Sequence, residues 1–72
     1  MKTGKFNKVE FHMTRGNGYG QYYIHSTYKG RVLKIHTTNS DAWDWIDDSS
    51  NKEKHMDALR YCYRMIVNRY NN

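Results

Sequence analysis

The run GQYYIHSTYKGRVLKIHTT, residues 20–38, decides the fold. Residues 21–28 and 31–38 alternate apolar and polar side chains with the period of a strand half sunk in a core. Between them stands Lys29-Gly30, a two-residue loop with glycine second, which suits a type I′ turn. That turn sets the register. Ile24 faces Ile35, Ser26 faces Leu33 and Tyr22 faces Thr37 on one side. Tyr23 faces His36, His25 faces Lys34 and Thr27 faces Val32 on the other.

Upstream, Lys8 to Thr14 alternate as well, with Val9, Phe11 and Met13 on one face and Lys8, Glu10, His12 and Thr14 on the other. The loop from Arg15 to Gly20 holds glycines at three alternate positions, which reach positive φ at little cost and leave main-chain N–H groups accessible. Symmetric closure of this loop pairs Met13 with Tyr22, Phe11 with Ile24 and Val9 with Ser26. The apolar residues of all three strands then share one face, and a one-residue slip would invert a strand. The polar face reads in rows: His12–Tyr23–His36, then Glu10–His25–Lys34, then Lys8–Thr27–Val32. Met1 to Lys5 is a polar, basic start with the character of a frayed terminus.

Downstream the period changes. Asn39-Ser40-Asp41 supplies helix caps, and a short helix at about Asp41 to Asp47 buries Ala42, Trp45 and Ile46. Ser50 with Glu53 matches a capping box opening a longer helix. Met56, Leu59, Tyr63, Ile66 and Tyr70 line one side of that helix with Cys62 beside them. Arg60, Tyr61 and Arg64 lie on the other side. The expected fold is α+β, a single domain over 1–72. A three-stranded antiparallel sheet is covered on one face by a short and a longer C-terminal helix, in the order β-β-β-α-α.

At 72 residues the chain sits near the lower limit for a core without staples. Seven tyrosines against two phenylalanines mean that much of its apolar area carries a hydroxyl needing a partner or water. One cysteine makes no internal disulfide, and no apolar run suits a membrane span or signal core, so the expected address is the cytoplasm. Charge is unevenly spread. Residues 1–36 hold seven Lys/Arg against Glu10 alone, +6, whereas residues 37–57 hold six acids against Lys52 and Lys54, −4. The basic half suits polyanions.

No constellation of nucleophile, base and orienting group emerges, so the chain is read as non-enzymatic, without cofactor or metal. His12 and His36 stand about 10 Å apart across a central strand, too far for shared zinc ligation. The glycine loop lies between strands and lacks a P-loop lysine. What remains is the uncovered sheet face, whose rings and cations can stack on bases and hold phosphates, together with the basic glycine loop flanked by Arg15 and Tyr19. The expected contact residues are Lys8, Arg15, Tyr19, Tyr23, His25, Lys34 and His36, with secondary contacts at Arg60, Tyr61 and Arg64. The alternative surface is acidic: Asp44, Asp47 and Asp48 would engage a protein. An exposed sheet edge leaves a homodimer open.

Two resemblances add expectations. Gly20-Gln21-Tyr22, Tyr28-Lys29-Gly30-Arg31, Thr37 and Asp41-Ala42 with Trp45 resemble the arm-binding domain of tyrosine recombinases, related to the plant ethylene-response DNA-binding fold. This likeness covers residues 20–46. It implies DNA contact through a sheet, at Tyr23, His25, Lys34 and His36. Gly18-Tyr19-Gly20-Gln21-Tyr22, Tyr28-Lys29-Gly30 and Thr38-Asn39-Ser40-Asp41-Ala42 resemble small proteins of bacterial phages and mobile elements. That likeness implies a bacterial host cytoplasm and imports no activity. In that setting small domains often bind a host protein, as anti-defence and anti-CRISPR inhibitors do. The leading expectation is a nucleic-acid-binding module. The alternative is a phage-type inhibitor or adaptor of a host protein.

Overall fold

Alternation at period 2 produces four strands, not three. The computed structural model describes residues 2–72, so Met1 lies outside the described residues. It contains β1 (Lys2–Phe6), β2 (Val9–Arg15), β3 (Tyr22–Tyr28), β4 (Arg31–Thr37), α1 (Ser40–Trp45) and α2 (Lys52–Tyr70). The strands form one antiparallel sheet in the order β1-β2-β3-β4. The α+β class and the C-terminal helices agree with the sequence. The frayed start does not, because Lys2 to Lys5 belong to β1.

β1 exists because Asn7 and Lys8 make a two-residue turn, with φ of 52° and 66°. Positive φ at both positions is what a type I′ hairpin requires, and Asn tolerates it better than most residues. Lys8 therefore sits in a turn rather than in the strand expected to start there. Gly4 faces Phe11 across the new pair. A Cβ at Gly4 would come within 2.8 Å of both Leu59 Cδ2 and Phe11 Cε1. Glycine here lets α2 approach the sheet edge, a close-contact role that overrides its poor strand propensity.

The β3–β4 hairpin has the register that its Lys29-Gly30 turn dictates, from Tyr22 opposite Thr37 to Tyr28 opposite Arg31. The β2–β3 pair differs from expectation by two residues: Met13 faces Ile24 and Arg15 faces Tyr22. The glycine loop closes off-centre. Gly16 N–H donates to the Gln21 carbonyl at 2.7 Å, and β2 continues through Arg15. A slip of two keeps every side chain on its face but changes its neighbours.

The helices cover the face bearing Phe11, Met13, Tyr22, Ile24, Leu33 and Ile35. Asn39 caps α1 by accepting from the Ala42 N–H at 3.1 Å. α2 is capped by Asn51, accepting from Lys54 N–H at 3.1 Å, one residue beyond the expected Ser50. Ser50 N–H instead donates to Asp48 Oδ1 at 2.9 Å in the turn before the helix. Ala42 and Ile46 meet Ala58, Leu59, Cys62 and Ile66 in one cluster. Burying an aliphatic side chain of this size contributes roughly 1.5–3 kcal/mol. Met56, Tyr63 and Tyr70 lie at its margin. Tyr63 packs 5.4 Å from Phe6 and accepts from Asn7 Nδ2, while Tyr70 meets Tyr28 edge-on at 5.1 Å. Burial pushes the Cys62 thiol up to about 12, which leaves it protonated and unreactive at neutral pH. No helix among the described residues is long and apolar enough to cross a membrane.

Candidate functional site

The face of the sheet turned away from the helices carries the rings. Because β2 and β3 pair two residues off the symmetric register, His12 lies beside His25 rather than beside Tyr23. Their imidazoles stack at 4.6 Å with planes 7° apart. One full row runs Thr3, His12, His25, Lys34, and the next runs Thr14, Tyr23, His36. These replace the three rows expected from the sequence. Tyr23 meets His36 edge-on at 5.6 Å and His25 at 6.4 Å, and Lys34 Nζ stands 4.5 Å above the Tyr23 ring. Tyr23, His25, Lys34 and His36 are thus one contiguous group.

Two polar contacts hold the rings. Thr14 Oγ1 lies 2.7 Å from His25 Nε2, and His36 Nε2 is hydrogen-bonded with Gln21 Oε1. Partial burial, followed by the neighbouring His12 and then Lys34, lowers the His25 pKa from its ordinary 6.5. At neutral pH His25 is therefore an uncharged ring with a fixed hydrogen bond, suited to stacking rather than to pairing with phosphate. Lys34 supplies the cation beside it.

The other expected contact residues are dispersed. Lys8 is exposed in the β1–β2 turn. Arg15 belongs to the opposite face, where its guanidinium lies 4.9 Å from the Trp43 ring and 6.0 Å from Tyr22. Expected as a flank of the glycine loop, it is instead the last residue of β2, where alternation from Thr14 places it with the covered set. Tyr19 is fully exposed at the tip of the glycine loop. Arg60 and Arg64 are exposed on the outer side of α2, across the molecule from the rings, and Arg60 Nη1 lies 3.1 Å from Asp57. Tyr61 is not on that outer stripe. It is half-buried, with its hydroxyl 2.7 Å from Thr37 Oγ1.

The acidic segment lies on the helix side. Asp44 is exposed on α1, and Asp47 stands 3.4 Å from Lys2 Nζ. The Ser50 side chain, followed by its main-chain N–H, holds the Asp48 carboxyl below its usual range. The sheet separates these charges from the ring face. No three His, Cys, Asp or Glu side chains among the described residues converge on a point that could hold a metal ion.

Sequence reasoning missed the stacked His12–His25 pair and the Thr14 and Gln21 contacts, all consequences of the off-centre loop. It also missed a cleft of about 840 Å³ on the same face, reaching from Thr3 and Lys5 to Thr27 and Val32. No known protein family, curated protein or solved structure matches the chain.

Proposed function

We propose that this chain is a small non-enzymatic protein that binds nucleic acid with the open face of its sheet. The observation that carries the reading is the contiguous array of His12, His25, Tyr23 and His36 with Lys34 among them. Flat π surfaces on β2, β3 and β4, with the Lys34 cation beside them, provide the two interactions that every nucleotide offers, base stacking and phosphate charge. The acidic α1 is turned away from this face and does not oppose a polyanion there.

The test is fluorescence anisotropy with labelled single-stranded and duplex oligonucleotides across a salt series. Binding to at least one form at low salt is expected, weakening steeply as salt rises. Lys34→Ala should lower the log–log salt slope by about one. Tyr23→Ala should weaken binding without changing that slope. Silence toward both forms at low salt would end this reading.

A second reading rests on Tyr19, a fully exposed ring at a loop tip. Tyrosines anchor protein interfaces, and a phage-type inhibitor or adaptor in a bacterial cytoplasm would use this loop and Asp44 against a host protein. Loss of a captured partner on Tyr19→Ala, with nucleic-acid binding absent, would favour it.

A further inference from the structure

The β2–β3 ladder stops at its His12–His25 rung although both strands continue. Beyond that rung the sheet forks. Glu10 and Phe11 on one bank and Ser26 and Thr27 on the other have no ladder partner across the gap. The Ser26 hydroxyl reaches over instead, donating to the Glu10 carbonyl at 2.8 Å. This fork is the middle of the 840 Å³ cleft, and the stacked histidines wall its inner end. Its volume is within the range of about 300–1,000 Å³ common for small-ligand sites.

We infer that the fork receives one unstacked base, so that the open face selects single-stranded nucleic acid over duplex. This rests on the reading that the face binds nucleic acid, and deepens it. The lining chooses a base over a phosphate. Glu10 repels a phosphate on the bank but accepts hydrogen bonds, which favours a base bearing an exocyclic amino group. The Thr27 hydroxyl offers a further donor and acceptor. Val32, 83% exposed at the rim, supplies apolar contact.

Phosphates have their own places outside. In an up-and-down sheet the Asn7-Lys8 and Lys29-Gly30 turns fall at the same end, which is the end where the fork opens. Lys8 therefore stands at its mouth, with Lys5 beside Glu10 on the neighbouring strand, whereas the Lys29 ammonium turns to the helix side, over Tyr28 and Tyr70. A duplex cannot use this arrangement. Its bases are stacked on both faces and paired along their edges, so none is free to enter the fork. The lowered pKa of His25 suits the end wall, since a neutral ring stacks without attracting a phosphate into the cleft.

The experiment compares three ligands on labelled protein at low salt: a mixed-sequence single strand about ten nucleotides long, its blunt duplex, and a deoxyribose-phosphate strand of equal length without bases. The single strand is expected to bind about tenfold tighter than the duplex. It should shift the amides of Phe11, Ser26 and Thr27, and the strand without bases should leave those three in place. Equal affinity for duplex and single strand, or single-strand binding with those amides silent, would overturn this inference while leaving nucleic-acid binding intact. Silence toward all three ligands would remove both.

Discussion

On the covered face of the sheet Met13 and Ile24 have no solvent exposure and pack in one cluster with Cys62 and Ile66. One position along the same strands, His12 and His25 lie partly in solvent and find their order in each other. The same backbone presents both sets. The covered set is fixed by volume: each side chain fills space that no water could fill, and its neighbours on two helices depend on it. The open set is held by edge-on and stacked rings and two side-chain hydrogen bonds, none of which closes a core. The difference teaches where stability resides and where the chain carries surface chemistry that stability does not require.

That contrast can be broken by substitution. Ile24→Ala should cost about 3 kcal/mol through lost transfer energy and the cavity left behind. For a domain of this size, that lowers the thermal midpoint by roughly 15 °C. His25→Ala, one residue away, should cost about 0.5 kcal/mol. Thermal melts of the two variants make the comparison, and equal losses would abolish the distinction between the faces. The Cys62 thiol gives a second reading. Its alkylation should be negligible in the native protein and in His25→Ala, and measurable in Ile24→Ala, because only opening of the core exposes it.

Gly4→Val comes next. The added side chain meets Leu59 and Phe11 at the sheet edge, and overpacking should cost about 2 kcal/mol by denaturant titration. An unchanged midpoint would mean that β1 and α2 separate easily. Tyr61→Phe removes a hydroxyl partner from buried Thr37, which also accepts from the Asn39 N–H, and should cost about 1 kcal/mol. The smallest effect belongs to the open face and to pH. Since His25 has a lower pKa in the folded chain than its ordinary 6.5, the unfolded chain takes up the proton first as pH falls. Folding stability should therefore decline on acidification through 6.5 and below, and His25→Gln should flatten that decline. A rise in stability over the same interval would contradict the assignment.

The same comparison explains what could be read from the sequence. The β3–β4 register was legible because Lys29-Gly30 permits one geometry and the alternation on both sides agrees with it. The two faces of β2 were legible for the same reason. Its register was not, since a six-residue glycine-rich loop closes in several ways and a two-residue slip leaves the hydrophobic pattern unchanged. The contacts of His12 and His25 turn on that slip. β1 was hidden because Phe6 is its only large apolar residue, and Gly4, which reads as a strand breaker, is there to admit α2. Tyr61 was placed on the outer stripe by helical periodicity alone, which cannot foresee a hydroxyl partner at the end of β4. The fork was out of reach of any pattern, because nothing in the alternation marks His12 and His25 as the last rung of a ladder.

The strand order repeats the chain order, so every sheet neighbour is also a sequence neighbour. Loop-closure entropy grows with the length of chain enclosed, and the three links within this sheet enclose very little. The hairpins can therefore form one after another from nearby residues, before the C-terminal segment takes part. The contact that waits is the one joining the two ends of the molecule, where Asn7 reaches Tyr63 across 56 residues of sequence and Leu59 settles over Gly4. Docking α2 onto β1 is the step that closes the large loop, and it carries the largest closure entropy of any contact in the fold.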